Sequence, residues 1–226
     1  MKKKLTDSQI YDTLFKAIHE HHLLPETHLP EDDLAKSFDV SRTRVRKILE
    51  QLIHEQLVVK LPNKGCFVAS MSEKQVNDVF TARKIIEAGI IDLIDFPLKG
   101  AVIKHLHKLC QDENNALKQG NLSQANTLSG EFHIYLAKLT NNETLSVMVK
   151  QLIARTSLAL AVYSNPTTMQ CDNHCHHELT NLFVQGNKSK IKDFMLAHLN
   201  ELENNLIIQP ETKKAVNLSE LISSLN

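Results

Sequence analysis

From Val76 to Ile208 the apolar residues keep helical spacing in six runs, over 76–93, 102–117, 122–139, 145–162, 174–183 and 191–208. A stripe that recurs at i, i+3, i+4 and i+7 can be buried only on a helix, because a strand alternates with period two. The runs break at Pro97/Gly100, Gly120, Asn141-Asn142, Asn165-Pro166 and Gly186-Asn187. Connections this short predict an all-helical six-helix bundle. Glycine and proline number six each in 226 residues, which disfavours a turn-rich β architecture. The chain is long enough for one generous core or two modest ones.

The first 70 residues follow a different order. Ile10, Tyr11, Leu14, Phe15 and Ile18 predict a first helix within 8–22, and the two prolines of "LLPETHLP" end it. A short helix is expected at 32–38. Ser41 then reads as an N-cap, followed by a third helix whose stripe is Val45, Ile48, Leu49, Leu52 and Ile53. Two β-rich runs, 57–61 and 66–69, flank a turn at Pro62–Gly65. Three helices followed by a hairpin is the order of a winged helix-turn-helix. The expected fold is therefore mainly α, with a winged domain at 1–70, a helical domain at 71–208 and a tail at 209–226 that can add a short helix.

Charge is balanced: residues 1–70 hold 11 Lys/Arg against 10 Asp/Glu, and the remainder 15 against 16. Bulk charge thus carries no sign of nucleic-acid binding, and only local clustering can. The third helix supplies it with Arg42, Arg44, Arg46 and Lys47. Ser41, Arg42, Thr43, Arg44, Arg46 and Lys47 form the candidate DNA face, Arg for guanine edges and Thr and Lys for phosphates. Lys64 and Gly65 at the hairpin tip suit a wing that approaches the DNA backbone or the minor groove. A basic but merely solvated helix face is the bland reading of "RTRVRK" alone.

The stretch "LPEDDLAKSFDVSRTRVRKILEQLIHEQLVVKLPNKGCFVA" resembles the winged-helix domain of GntR-type transcription regulators. The matching residues are Leu29, Glu31, Leu34, Ala35, Val40, Ser41, Arg42, Thr43, Val45, Arg46, Leu49, Leu52, Leu57, Val58, Gly65 and Val68. The chain departs from that pattern at Asp32, where a DNA-contacting Arg is common, and at Glu26, Asp39 and Gln56, which stand for glycines. Residues 71–205 resemble the all-helical FCD effector domain of the FadR-like branch. Arg83 and Glu87 fit its opening R-x-x-x-E helix; Phe132, His133, Leu136 and Asn142 fit its central motif; His176 and His198 fall on its two closing helices. A short linker and six helices point to the VanR-type subgroup.

That resemblance implies a divalent metal (Zn, Ni, Mn or Fe) held by His133, His176 and His198, with an Asp one helical turn before His133. The Asp position is Ser129 here, and Glu131 falls on another face. Three readings follow: a three-His metal site completed by water or an acidic effector, a metal-free pocket in which Arg83 and Arg155 help bind an anion, or histidines hydrogen-bonded in a core. Arg83 and Glu87 alone could equally be an exposed i,i+4 ion pair.

The resemblance further implies a homodimer on a near-palindromic double-stranded operator, controlled by a small carboxylate effector, with repression the commoner sign. Rival classes are a metal- or thiol-responsive regulator using Cys171, His174, Cys175 and His177, and a helical-bundle metalloenzyme. The chain has no H-E-x-x-H helix and no recognisable Ser-His-Asp set, so no enzyme is expected. "MKKKLTDSQIYD" lacks the apolar run of a signal peptide, no run approaches a membrane span, and four cysteines without a secretory signal read as reduced thiols. A cytoplasmic protein with no membrane partner is the expectation.

Overall fold

The computed structural model describes residues 5–163 and 175–206. The expected tail at 209–226, and Cys171 and His174 of the cysteine–histidine cluster, lie outside the described residues. The chain divides into two compact units, one of residues up to Met71 with Ser157–Val162, the other of Ser72–Thr156 with the described residues from Tyr163 on.

The first unit contains helices α1 (Asp7–His19), α2 (Glu31–Ser37) and α3 (Arg42–His54) and strands β1 (His28–Leu29), β2 (Val58–Leu61) and β3 (Gly65–Val68). Thr6 and Gln9 form a reciprocal capping box at α1, and the Ser41 hydroxyl accepts from the Arg44 amide at α3. Ile10, Leu14, Ile18, Leu34, Val45, Ile48, Leu49 and Leu52 are buried, so the expected stripes form the core. The sheet has three strands rather than the two of the expected hairpin, in the order β1-β3-β2, all antiparallel. Two residues between prolines are too short to show alternation, and β1 exists because Leu29 pairs with Cys66 and is buried there.

Helices α2 and α3 end alike. Asp39 (φ 51°) and Gln56 (φ 61°) take the left-handed conformation one residue beyond the C-cap. Their amides donate to Lys36 and Ile53, and the next amides, of Val40 and Leu57, donate to Ala35 and Leu52. This is the Schellman pattern, which satisfies the last helical carbonyls and favours glycine at the turning residue. Glu26 (φ 69°) is left-handed as well, so all three departures from the glycine pattern fall on positive-φ positions.

The second unit holds α4 (Glu73–Leu93), α5 (Gly100–Lys118), α6 (Leu122–Leu139), α7 (Glu143–Tyr163) as far as Thr156, α8 (Cys175–Gln185) and α9 (Lys188–Asn204). Ser72 with Gln75, Asn121 and Asn187 cap α4, α6 and α9. The packing neighbours α6, α4, α9, α8 and α5 close into a ring, since α5 also lies against α6. Ile90, Ile91, Leu106, Phe132, Leu136, Leu179, Phe183, Ile191, Met195 and Leu199 fill it. By length and composition α7 could cross a bilayer. It nevertheless carries Lys150 and Arg155 and buries Val149, Ile153 and Ala154.

Left-handed backbone strains an L-residue by ~1–2 kcal/mol, partly offset by the entropy glycine loses on folding. Gln56 is exposed, so little packing opposes its replacement. Gln56→Gly should therefore stabilise the protein by about 1 kcal/mol in urea unfolding, and Glu26→Gly should shift the midpoint the same way.

Candidate functional site

Two constellations carry chemistry. The first lies on α3. Arg42, Thr43, Arg46 and Lys47 are exposed, as are Ser41, Lys64 and Gly65. Acidic partners from α1 and α2 meet the cations. Arg42 Nε pairs with the Asp32 carboxylate. Arg46 forks onto Glu31, Nε to Oε1 at 3.1 Å and Nη2 to Oε2 at 2.7 Å. Hydrogen bonding to Arg46 holds the Glu31 carboxyl below its ordinary range, and the same bond raises Arg46. Exposed pairs of this kind are weak and exchange readily for phosphate or a base edge.

Arg44, also expected on the DNA face, is partly exposed and bonded to the start of α1. Its Nε donates to Asp7 Oδ1 at 2.6 Å and its Nη2 to the Leu5 carbonyl at 2.8 Å, fastening the start of α1 to α3. Gly65 is at φ 91°, and a Cβ there would come within 3.1 Å of His28 Nε2. The wing tip therefore favours glycine for its conformation, and an added Cβ would also press on the exposed His28 ring. Lys60 on β2, which the sequence does not single out, is close enough to Glu31 to lower its pKa.

The second constellation lies inside the ring of helices. His133 on α6, His176 on α8 and His198 on α9 are buried, and they offer ligand nitrogens all within 4.8 Å of one another. Among the described residues they form the one such group; the "HEHH" run at 19–22 forms none. Two of the imidazoles are oriented from outside. Glu87 Oε2 on α4 lies 2.5 Å from His133 Nδ1, and Glu113 Oε2 on α5 lies 2.7 Å from His176 Nδ1. The ring of Phe132 stacks on His176 at 4.6 Å between centroids. Five neighbouring helices thus each contribute to one centre.

Arg83, one turn before Glu87, is 1 % exposed, so the solvated ion pair is not what forms. Its Nε donates to Glu87 Oε1 at 2.7 Å and its Nη1 reaches Thr156 Oγ1 at 3.5 Å. Its Nη2 is buried with no hydrogen-bond partner among the described residues. Burial pushes the Glu87 carboxyl upward, but Arg83 and His133 outweigh it and hold the group at about 2. Burial lowers His133 against the pull of Glu87, and lowers His198 further. Both shifts favour the neutral imidazole at His133 and His198, which is the form that ligates metals. Arg155 is half-buried with its Nε unpartnered, and burial lowers its pKa.

The donor set suits a divalent cation. His133 Nε2 and His176 Nε2 lie 3.2 Å apart, close to the ~3.3 Å edge of a tetrahedron with ~2.0 Å Zn–N arms. Ser129 is half-buried one turn before His133, and Glu131 is exposed, so neither brings an anion to the three nitrogens. Cys175 is partly exposed and His177 is exposed against His107, away from the centre. The anions nearest the histidines are Glu87 and Glu113. The first was legible only as an ion-pair partner, and the second has no sequence spacing that ties it to His176.

Comparison with known proteins agrees with this geometry. Residues 78–201 match the FCD domain family, and residues 6–68 match the family of bacterial regulatory proteins named gntR. The chain is 26 % identical over 181 residues to the Nta operon transcriptional regulator of Aminobacter aminovorans, covering 79 % of this chain and 84 % of that protein. It is 24 % identical over 185 residues to the gluconate operon transcriptional repressor of Bacillus subtilis (strain 168), covering 77 % and 72 %. In fold it is similar to the crystal structure of a transcriptional regulator from Rhodococcus sp. RHA1, with a TM-score of 0.79 and 20 % identity over 88 % of this chain and 95 % of that one.

The buried pair sets a stability test. Removing one partner of a buried ion pair strands the other charge and costs ~3–5 kcal/mol, whereas replacing both by apolar groups is far milder. Arg83→Met should lose that amount in urea unfolding, and the double variant Arg83→Met/Glu87→Leu should regain most of it.

Proposed function

Since the chain belongs to the GntR family of bacterial regulatory proteins and carries an FCD domain, we propose that it is a sequence-specific, DNA-binding repressor whose helical domain binds a small carboxylate through a divalent metal ion. In this reading residues 1–70 form the DNA-binding domain, and 71–208 form the effector and dimerisation domain. The short linker and six helices support placement in the VanR-type subgroup. The function is regulatory rather than enzymatic, and the protein works in the cytoplasm.

One observation carries the reading: three convergent imidazoles stand beside a buried guanidinium whose Nη2 has no partner among the described residues. His133, His176 and His198 would hold the ion, which when bound supplies Lewis acidity toward a ligand oxygen. Arg83 adds a planar donor for the carboxylate and is already anchored by Glu87 on its other edge. Arg155 is the second cation assigned to the ligand. With Ser129 at the family's Asp position no protein anion occupies the first shell, so an acidic effector is the natural source of negative charge.

On DNA, Arg42 and Arg46 read base edges while Ser41, Thr43, Lys47 and Lys64 fix the phosphates. A homodimer presents two recognition helices to the half-sites of a near-palindrome. The effector regulates only if it binds one arrangement of the dimer better than the other. Repression follows the relative named a gluconate operon repressor.

DNA binding is tested by fluorescence anisotropy with duplexes from the region upstream of the protein's own coding sequence. Arg42→Ala and Arg46→Ala should each weaken binding by about tenfold and relax preference for the base they read. Lys47→Ala should instead weaken all sequences alike and reduce the salt slope by about one. Unchanged affinity in all three variants would overturn the assignment of α3. Elemental analysis tests the metal: wild type purified without chelator should carry about one divalent ion per chain and His133→Ala almost none. Equal, trace amounts in both would remove the metal from the proposal.

A further inference from the structure

The histidine pair at the centre poses a problem in proton placement. A carboxylate can only accept, so the Nδ1 atoms of His133 and His176 must donate to Glu87 and Glu113. A neutral imidazole has one N–H, so both Nε2 atoms are then bare lone pairs. Yet these atoms lie 3.2 Å apart. Two acceptors at that distance repel unless a proton or a cation lies between them. The two outer carboxylates, not the histidines themselves, impose this arrangement.

The two carboxylates differ in standing. Glu87 is saturated, since one oxygen takes Arg83 and the other His133. Glu113 serves His176, and no other side chain hydrogen-bonds to it among the described contacts. One turn away a second rung joins the same two helices: Cys110 Sγ on α5 lies 3.5 Å from Thr180 Oγ1 on α8, and Thr180 donates to the His176 carbonyl. Phe132 packs flat on the His176 ring. These contacts fix the ring plane, and they leave open which of its nitrogens carries the hydrogen. Only Glu113 decides that.

We propose that Glu113 is the positioning residue of the centre: it holds His176 in the Nδ1–H tautomer, aims the bare Nε2 at the shared point beside His133, and supplies from the outer shell the negative charge that Ser129 does not supply from the inner one. The inference rests on the metal-site reading above and assigns a residue that reading does not use. An imidazole that donates to a carboxylate is a more basic ligand, and loss of such an outer partner typically lowers metal affinity 10–100-fold. With three neutral nitrogens and no inner anion, affinity depends on outer carboxylates more than it would in a site that contains an Asp.

The experiment uses the full-length protein stripped of metal, with Zn²⁺ as probe in competition with a chromophoric chelator, and with ¹⁵N imidazole shifts of the metal-free protein recorded in parallel. Glu113→Ala should lower Zn²⁺ affinity by about 10–100-fold and move His176 from the Nδ1–H toward the Nε2–H tautomer. Glu113→Gln, whose Oε1 still accepts from Nδ1, should keep the tautomer and lose less affinity. Thermal unfolding of the metal-free variants should stay near wild type, which separates positioning from folding; if Glu113→Ala does not fold, Glu113→Gln decides by its tautomer and affinity. Wild-type binding that depends on His133 and is matched within twofold by Glu113→Ala overturns this proposal and leaves the metal reading intact. Wild type that binds no Zn²⁺ overturns both.

Discussion

A buried guanidinium is the constraint around which the helical unit is organised. Arg83 cannot be deprotonated and is shielded from water, so the fold must supply its counter-charge. Glu87 supplies it from one turn along the same helix, and in doing so turns its other oxygen to His133 on α6. The ion pair therefore determines the tautomer of the first histidine, and that tautomer determines which nitrogen faces the centre. Apolar packing by Phe132, Leu136, Leu179 and Leu199 holds the ring of helices together. It would do so equally well around leucines. The polar chain from Arg83 to His133 makes the interior a site rather than only a core.

The winged unit handles charge in the opposite way. Arg42 and Arg46 are exposed, and each is balanced by a carboxylate of α2. Exposed pairs contribute little to stability, so they leave Arg42 and Arg46 available. They also explain why net charge was silent about nucleic acid: acids that neutralise the sum sit directly beside the basic residues proposed to read DNA. Asp32 belongs to this set. Its carboxylate pairs with Arg42 on the exposed face of the unit.

Most of the fold was legible because periodicity reports burial directly. The runs at 76–93, 102–117 and 122–139 became α4, α5 and α6 with ends moved by three residues at most, and their stripes became the core. Strand β1 was not legible, because two residues carry no period and its partner Cys66 is distant in sequence. For the candidate site, His133, His176 and His198 were named from motif positions, and the fold gathers them. Glu113 was invisible. A contact between α5 and α8 depends on how helices pack, and no spacing within either helix encodes it. The bond from Arg44 to residues 5–7 was not legible for a related reason: helical phase places it near the basic face, and only the path of the chain before α1 shows what it meets.

That path has a practical consequence for handling the protein. Leu5 and Asp7 are hydrogen-bonded directly to α3 through Arg44, so the described chain begins beside the proposed DNA-reading helix. A fusion partner or affinity handle joined ahead of Leu5 would start at the DNA face and compete with a duplex by bulk or by charge. A polyhistidine handle there would also add imidazoles to a protein whose own metal content is to be measured.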